Sequence, residues 1–215
     1  MQAPPRKPTL FIVSAPSGSG KSTLVNRVLE LDPRLLFSIS YTTRPPRGHE
    51  KQGGNYHFIG RDEFERRLAQ DEFLEWAKVF DNYYGTSRLY LERAWAEGRD
   101  LVLDIDVQGA RQLKERIPDA VSIFILAPSR GILEQRLRAR SEDSEAVIER
   151  RLRGAAEEIG NYRQYDYLLV NQDIGESVMR LKSIIEAERI RMVRMEEHIR
   201  PILDTFQNGE GTVQE

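Results

Sequence analysis

Residues 15 to 23 read APSGSGKST, a composition suited to holding a chain of phosphates. Chemistry at a triphosphate needs backbone N–H groups converging on anionic oxygens with no side chain in the way. Gly18 and Gly20 permit that approach, the helix that follows adds its positive N-terminal end, and Lys21 reaches the outer phosphates. Ser22 or Thr23 then supplies a hydroxyl for magnesium. The strict pattern has glycine where Ala15 stands, and the extra methyl costs energy only if φ is positive there. The bland alternative for the same residues is a glycine-rich turn capping a helix.

A nucleotide loop does not name the acceptor, so the rest of the chain must. In "VLDID" the alternation puts Asp104 and Asp106 on one face of a strand. Ligands of an open parallel sheet lie beyond the carboxyl ends of its strands, where a first aspartate can hold a magnesium shell. The competing role for Asp106 is to cap the helix that starts at "VQGARQL". Arg44 and Arg47, three apart in "TTRPPR", can converge on one anion with their forked guanidinium groups, or can form a solvated basic loop. Tyr56 and Tyr84 add hydroxyls nearby. Glu75 lies among aromatics in "FLEWAKV", where a carboxylate needs a reason. Guanine offers N1–H and N2–H₂ donors side by side and a carboxylate accepts from both, whereas adenine would set its N1 lone pair against the charge. Ser40 and Thr86 are the hydroxyls available to such a pocket.

These groups need elements to position them. Short apolar runs at 9–15, 36–40, 100–106, 121–126 and 167–171 show little alternation, the mark of strands covered on both faces in a parallel sheet. Helical periodicity falls between them at about 20–31, 108–116, 130–140, 144–160 and 175–200. The expected fold class is α/β with right-handed crossovers. From about 36 to 96 the rhythm breaks. A loop rich in arginine, proline and glycine, a short helix at 62–70 and an exposed strand and turn predict an inserted lobe. A second arginine-rich interruption, "RLRARSEDSEAVIERRLR", joins two helical patterns. Residues 1–8 are expected as a disordered arm and 206–215 as a flexible tail, around one domain over 9–205.

The chain has 215 residues, with 32 basic and 34 acidic side chains for a formal net charge of -2. That balance points to neither nucleic acid nor anionic membrane as a partner. With no cysteine and three scattered histidines, disulfides and thiolate metal sites are excluded and a structural zinc site is disfavoured. A cysteine-free chain suits a reducing compartment. No apolar run approaches the roughly 20 residues of a membrane span.

Taken together, "APSGSGKSTL", "FSISYTTRPPR", "GGNYHF", "DEF…EFLEWAKVFDNYYGT", "LVLDIDVQGA", "RLRARSEDSEAVIERRL" and "YLLVNQD" resemble guanylate kinase in order and spacing, across roughly residues 8 to 200. The resemblance implies a P-loop parallel-sheet core (9–35 and 97–205), an inserted GMP-binding lobe at about 36–96 and a small helical lid at about 137–155. It implies a cytoplasmic enzyme that transfers the γ-phosphoryl group of ATP to GMP with magnesium. By position, Ser40, Glu75, Thr86 and Asp106 would hold guanine, and Arg44, Arg47, Tyr56 and Tyr84 the GMP phosphate. Thr86 stands where many members have serine. ATP would lie on Ala15, Pro16, Ser17, Gly18, Ser19, Gly20, Lys21, Ser22 and Thr23, with Asn171 at its adenine and Ser22 and Asp104 serving the metal. Lys21, Arg136, Arg140 and Arg151 would offset charge on the transferring phosphoryl. "RARSEDSE" lacks the family's usual glycine and threonine after the arginine. Guanylate-kinase-like domains also occur in non-catalytic scaffolds, which typically degrade the phosphate loop. The long C-terminal helix is free to pack on its own core or against a second copy.

Overall fold

The computed structural model describes residues 7–79, 81–140 and 144–207. The first half of the chain runs β1 (Leu10–Ser14), α1 (Lys21–Leu31), β2 (Leu35–Ser38), β3 (Tyr41–Thr42), β4 (His57–Phe58), α2 (Arg61–Ala69), β5 (Phe73–Val79), β6 (Asn82–Ser87) and α3 (Arg88–Ala96). The second half runs β7 (Asp100–Asp104), α4 (Val107–Arg116), β8 (Val121–Leu126), α5 (Arg130–Arg140), α6 (Glu145–Ile159), β9 (Tyr167–Val170), α7 (Ile174–Arg189) and α8 (Met192–Gln207).

Five strands form one parallel sheet in the order β2-β7-β1-β8-β9. The continuous apolar runs behave as the period of a strand demands. Along β1, Phe11 and Val13 enter a cluster with Leu24, Val25 and Val28 of α1 and Val178, Leu181 and Ile185 of α7. Leu10 and Ile12, pointing the other way, pack with Leu91 and Ala94 of α3 and Ala110 and Leu113 of α4. Burying both faces fixes the register, since a one-residue slip would exchange the two cores. It also puts Ser14 and Asp104, at neighbouring strand ends, on one rim of the sheet.

The lobe is a second sheet of order β4-β3-β6-β5 with α2 against it. β2 pairs with β7 in the main sheet, so the lobe departs after Ser38, later than residue 36. Residues 88–96, expected within the lobe, are the helix α3, which returns the chain to the core. "FLEWAKV" is not the exposed strand its mixed composition predicts. Phe73, Leu74, Glu75 and Ala77 of β5 are buried, because Phe64 of α2 stacks on Phe73 and Gln112 of α4 bonds the Trp76 backbone.

The long helix expected over 175–200 divides at Ile190. Arg189, 3% exposed, is held by Asp100 and Asp32, and Glu188 by Tyr167, so the end of α7 is pinned to the sheet. α8 has no buried residue, and its Arg194 donates to the Asp119 carbonyl at 2.9 Å. It continues to Gln207, two residues into the stretch expected as tail.

Candidate functional site

The loop between β1 and α1 carries its two positive-φ residues at Gly18 (φ 89) and Gly20 (φ 88). Ala15 is not among the positive-φ residues, so its methyl is free of backbone strain and glycine is not required there. Gly20 is the N-cap of α1 and no side chain caps the helix, which leaves the first-turn amides directed at the loop's hollow. Both glycines also leave room for neighbours. A Cβ on Gly18 would press on Leu137 and Leu133 of α5, and one on Gly20 would overlap the Asn171 amide.

At the carboxyl end of β7 the charged groups converge. Lys21 Nζ lies 2.5 Å from Asp104 Oδ1 and donates to the Ile105 carbonyl at 3.2 Å. The Ser22 hydroxyl donates to Asp104 Oδ2 at 3.1 Å. Asp106 does cap α4, accepting from Gly109 N at 2.9 Å. Burial pushes its pKa up, against the backbone bond and the Lys21 charge. Glu158, on the last turn of α6, is a residue that sequence reasoning passed over. Burial pushes it up to about 7, with Lys21 lowering and Asp106 raising it. Lys21 is thus paired with Asp104, and its charge is felt by Asp106 and Glu158, a grouping that no spacing in the chain announces.

In the lobe, Arg44 is 6% exposed. Its Nε donates to the Tyr84 hydroxyl (3.2 Å) and Nη1 to the Pro45 carbonyl (2.8 Å). Glu50 takes one N–H from each terminal nitrogen, at 2.9 and 3.0 Å. These contacts occupy four of the five guanidinium donors. Glu50 also accepts from Arg47 N at 2.8 Å. Burial works against this carboxylate, but the bonds from Arg44 and Arg47 hold its pKa below the usual range. Tyr56 and Tyr84 meet edge to face at 5.9 Å, with the Arg44 guanidinium 5.4 Å from the Tyr56 ring centre. Burial, then the Asp104 charge, pushes the Tyr56 hydroxyl up to about 12, so the lobe and the end of β7 share one electrostatic space. Arg47 itself is exposed. Glu50 was missed because its role follows from the Arg44 contact; the only signal was an acid three residues after Arg47.

Glu75 is 3% exposed. A register shift between Phe73 and Glu75 sets it opposite Thr86, whose hydroxyl donates to Glu75 Oε1 at 2.5 Å. Bulges near sites re-aim side chains in this way. Burial raises Glu75 to about 7, opposed by the Thr86 bond and reinforced by Asp106. Its carboxylate reaches α4 so closely that a Cβ on Gly109 would overlap Oε2. Glu75, Thr86 and Asp106 are therefore gathered together. Ser40 is buried and its carbonyl accepts from His57 N.

The region read as a lid, about 137–155, takes in the end of α5 and most of α6, and these two helices are held together by Leu133, Leu137, Ile148, Leu152 and Ala155. Arg136 donates from Nη2 to the Asn171 carbonyl at 3.0 Å, and Arg151 is half-buried. The Arg140 side chain, like residues 141–143 of the expected lid, lies outside the described residues; so do residues 1–6 and 208–215 of the expected arm and tail. The Asn171 side chain is turned to the loop, Nδ2 donating to the Ser19 carbonyl at 2.8 Å. Sequence spacing alone gives no sign of that bond.

A loop shaped for a polyphosphate, at the switch between parallel strands and facing a basic cup in an inserted lobe, is the arrangement of a P-loop nucleotide kinase. Comparison with known proteins narrows the class. The guanylate kinase family model matches residues 7–188, and the chain belongs to that family. It is 54% identical over 204 residues to a guanylate kinase of Koribacter versatilis, covering 93% of this chain and 88% of that one. A Vibrio vulnificus guanylate kinase is 48% identical over 202 residues, with 93% and 98% covered. The structure matches that of guanylate kinase from Anaplasma phagocytophilum with a TM-score of 0.75 at 37% identity, covering 88% of this chain and 90% of that one.

Proposed function

We infer that the protein phosphorylates GMP at the expense of ATP, releasing GDP and ADP. Family membership supports the reaction; within the structure, one observation carries the choice of base. Glu75 is a buried carboxylate paired with the Thr86 hydroxyl, in the same lobe as the Arg44 cup. As a carboxylate it accepts from N1–H and N2–H₂ of guanine, with Thr86, Ser40 and Asp106 as neighbours, and it opposes the N1 lone pair of adenine. The GMP phosphate falls to Arg44, Arg47, Tyr56 and Tyr84.

A GMP phosphate oxygen attacks the γ-phosphorus of ATP as the bond to the ADP oxygen breaks. The acceptor is already anionic, so no side chain has to remove a proton. Lys21 leaves Asp104 for the β- and γ-phosphates, and the amides of residues 18–23 cradle them. Arg136, Arg140 and Arg151 serve the charge that spreads over the transferring group. Ser22 and Asp104 are hard oxygen donors side by side, which fits magnesium; among the described residues no group of three or more His, Cys, Asp or Glu side chains is placed to hold an ion. Ser22 and Asp104 would hold a magnesium ion, which would supply charge neutralisation at the phosphates. The acidic surroundings of Lys21 make the same demand, since a bare polyphosphate would meet Asp104, Asp106 and Glu158. No helix of the described residues is long and apolar enough to cross a membrane; we place the enzyme in the cytoplasm, with its nucleotides.

Release of ADP, measured with ATP and magnesium against GMP, dGMP, AMP, UMP and CMP, tests the reading. Turnover confined to the guanine nucleotides is expected. Comparable kcat/KM for AMP and GMP would overturn the guanine assignment.

A further inference from the structure

We propose that Asn171 is a positioning residue that locks the phosphate loop from beneath and joins it to the stem of the lid. The proposal rests on the reading of residues 15–23 as a triphosphate site. Asn171 follows the last strand of the main sheet, and it is only 2% exposed. Its side chain and main chain face two different elements. The amide Nδ2 donates to the Ser19 carbonyl inside the loop, and the main-chain carbonyl accepts from Arg136 Nη2 on α5. Its own N–H donates to the Leu126 carbonyl at 2.7 Å, which fixes the residue to β8.

The loop is shaped to admit this contact. The positive φ of Gly20 already favours glycine, and the absent Cβ is also the space the Asn171 amide fills. Gly18 makes the matching allowance for Leu137 and Leu133 of the same helix that carries Arg136. Loop and lid stem are thus packed against each other at two adjacent points. The Ser19 carbonyl has to face inward if the amides around it are to face a phosphate, and a buried carbonyl needs a donor. Asn171 supplies it. Its Nδ2 is committed to the loop, while Oδ1 is buried with no donor among the described residues.

A contact to the base and a brace for the loop make opposite predictions for a ligand that has no base. Calorimetric titration of the full chain with ATP and with inorganic tripolyphosphate, each with magnesium, separates them. In Asn171→Ala and in the equal-sized Asn171→Asp, which loses the donor, both ligands should weaken by the same factor, about ten- to hundredfold, because the Ser19 carbonyl is left buried without a partner. GMP binding should be unchanged. A loss confined to ATP, or no loss at all, would overturn the brace, and so would variants that lose GMP binding equally, since Asn171 would then serve the whole fold. Wild-type protein that bound neither ATP nor tripolyphosphate would overturn the triphosphate reading as well; wild-type binding with unaffected variants would overturn the brace alone.

Discussion

Lys21 and Asp104 form an ion pair across the mouth of the phosphate loop, Nζ to Oδ1 at 2.5 Å, while the other oxygen of Asp104 accepts from Ser22. The lysine proposed to reach a polyphosphate is paired with the carboxylate proposed to serve a metal. On the proposed reading, nucleotide and cation would each release the other's protein partner. Lys21→Ala should lower kcat by at least about a hundredfold, the scale of losing one donor to a transition-state charge, with GMP affinity intact. Steady-state kinetics and a GMP titration check it; unchanged turnover would remove Lys21 from the chemistry.

The pH response should be set by Glu75. Its pKa of about 7 lies above the ordinary 4.5, so the folded protein holds this proton more tightly than the unfolded chain. That contribution to stability is complete below 4.5 and lost as pH rises through 7. Glu75→Gln should thus unfold at a higher temperature than wild type at pH 8, by up to about 3 kcal/mol in stability, and at nearly the same temperature at pH 4. The same change should cost about a hundredfold in kcat/KM for GMP, since a glutamine amide opposes one guanine donor. Wild-type KM for GMP should rise as pH falls through about 7. Loss of that rise in Glu75→Gln separates it from titration of the nucleotide's own phosphate.

Glu50 should act on Arg44 through order. With four of five donors engaged, Arg44 is fixed before any ligand arrives, and fixing a side chain in advance lowers the cost of binding. Glu50→Ala should raise KM for GMP about tenfold and leave kcat within about twofold. A fall in KM would mean that the carboxylate competes with the phosphate.

Away from the site, Arg189 joins α7 to the start of β7 and the end of α1 through Asp100 and Asp32. Burial opposes the Asp32 charge, but bonds from Arg34 and Arg189 bring its pKa down to about 2. Its stabilisation is present above 3.8 and lost as pH falls toward 2. Arg189→Met should therefore cost about 3–5 kcal/mol at pH 7, because buried carboxylates lose their partner, and less at pH 3. Thermal unfolding at the two pH values tests the direction.

Much of this was legible because the physics is local. The strands from Leu10, Asp100 and Val121 are continuously apolar because helices cover both faces, and Gly18 and Gly20 stand where the backbone needs positive φ. Glu75 drew notice as a carboxylate among aromatics, yet its strand read as exposed, since the packing of Phe64 and α4 against it is remote in sequence. The break at Ile190 was hidden because the helical pattern runs through it, while its cause is the pinning of Glu188 and Arg189 by distant residues. Glu158 and the inward turn of Asn171 left no local signature, and Glu50 left only its place three residues after Arg47.

The most direct measurement follows the phosphorus itself. ATP, GMP, magnesium and the protein, observed by phosphorus NMR, should give ADP and GDP at equal rates, with the β-phosphorus of GDP growing as the γ-phosphorus of ATP declines and no build-up of inorganic phosphate. Inorganic phosphate in place of GDP, or unchanged spectra from folded protein, would contradict the account.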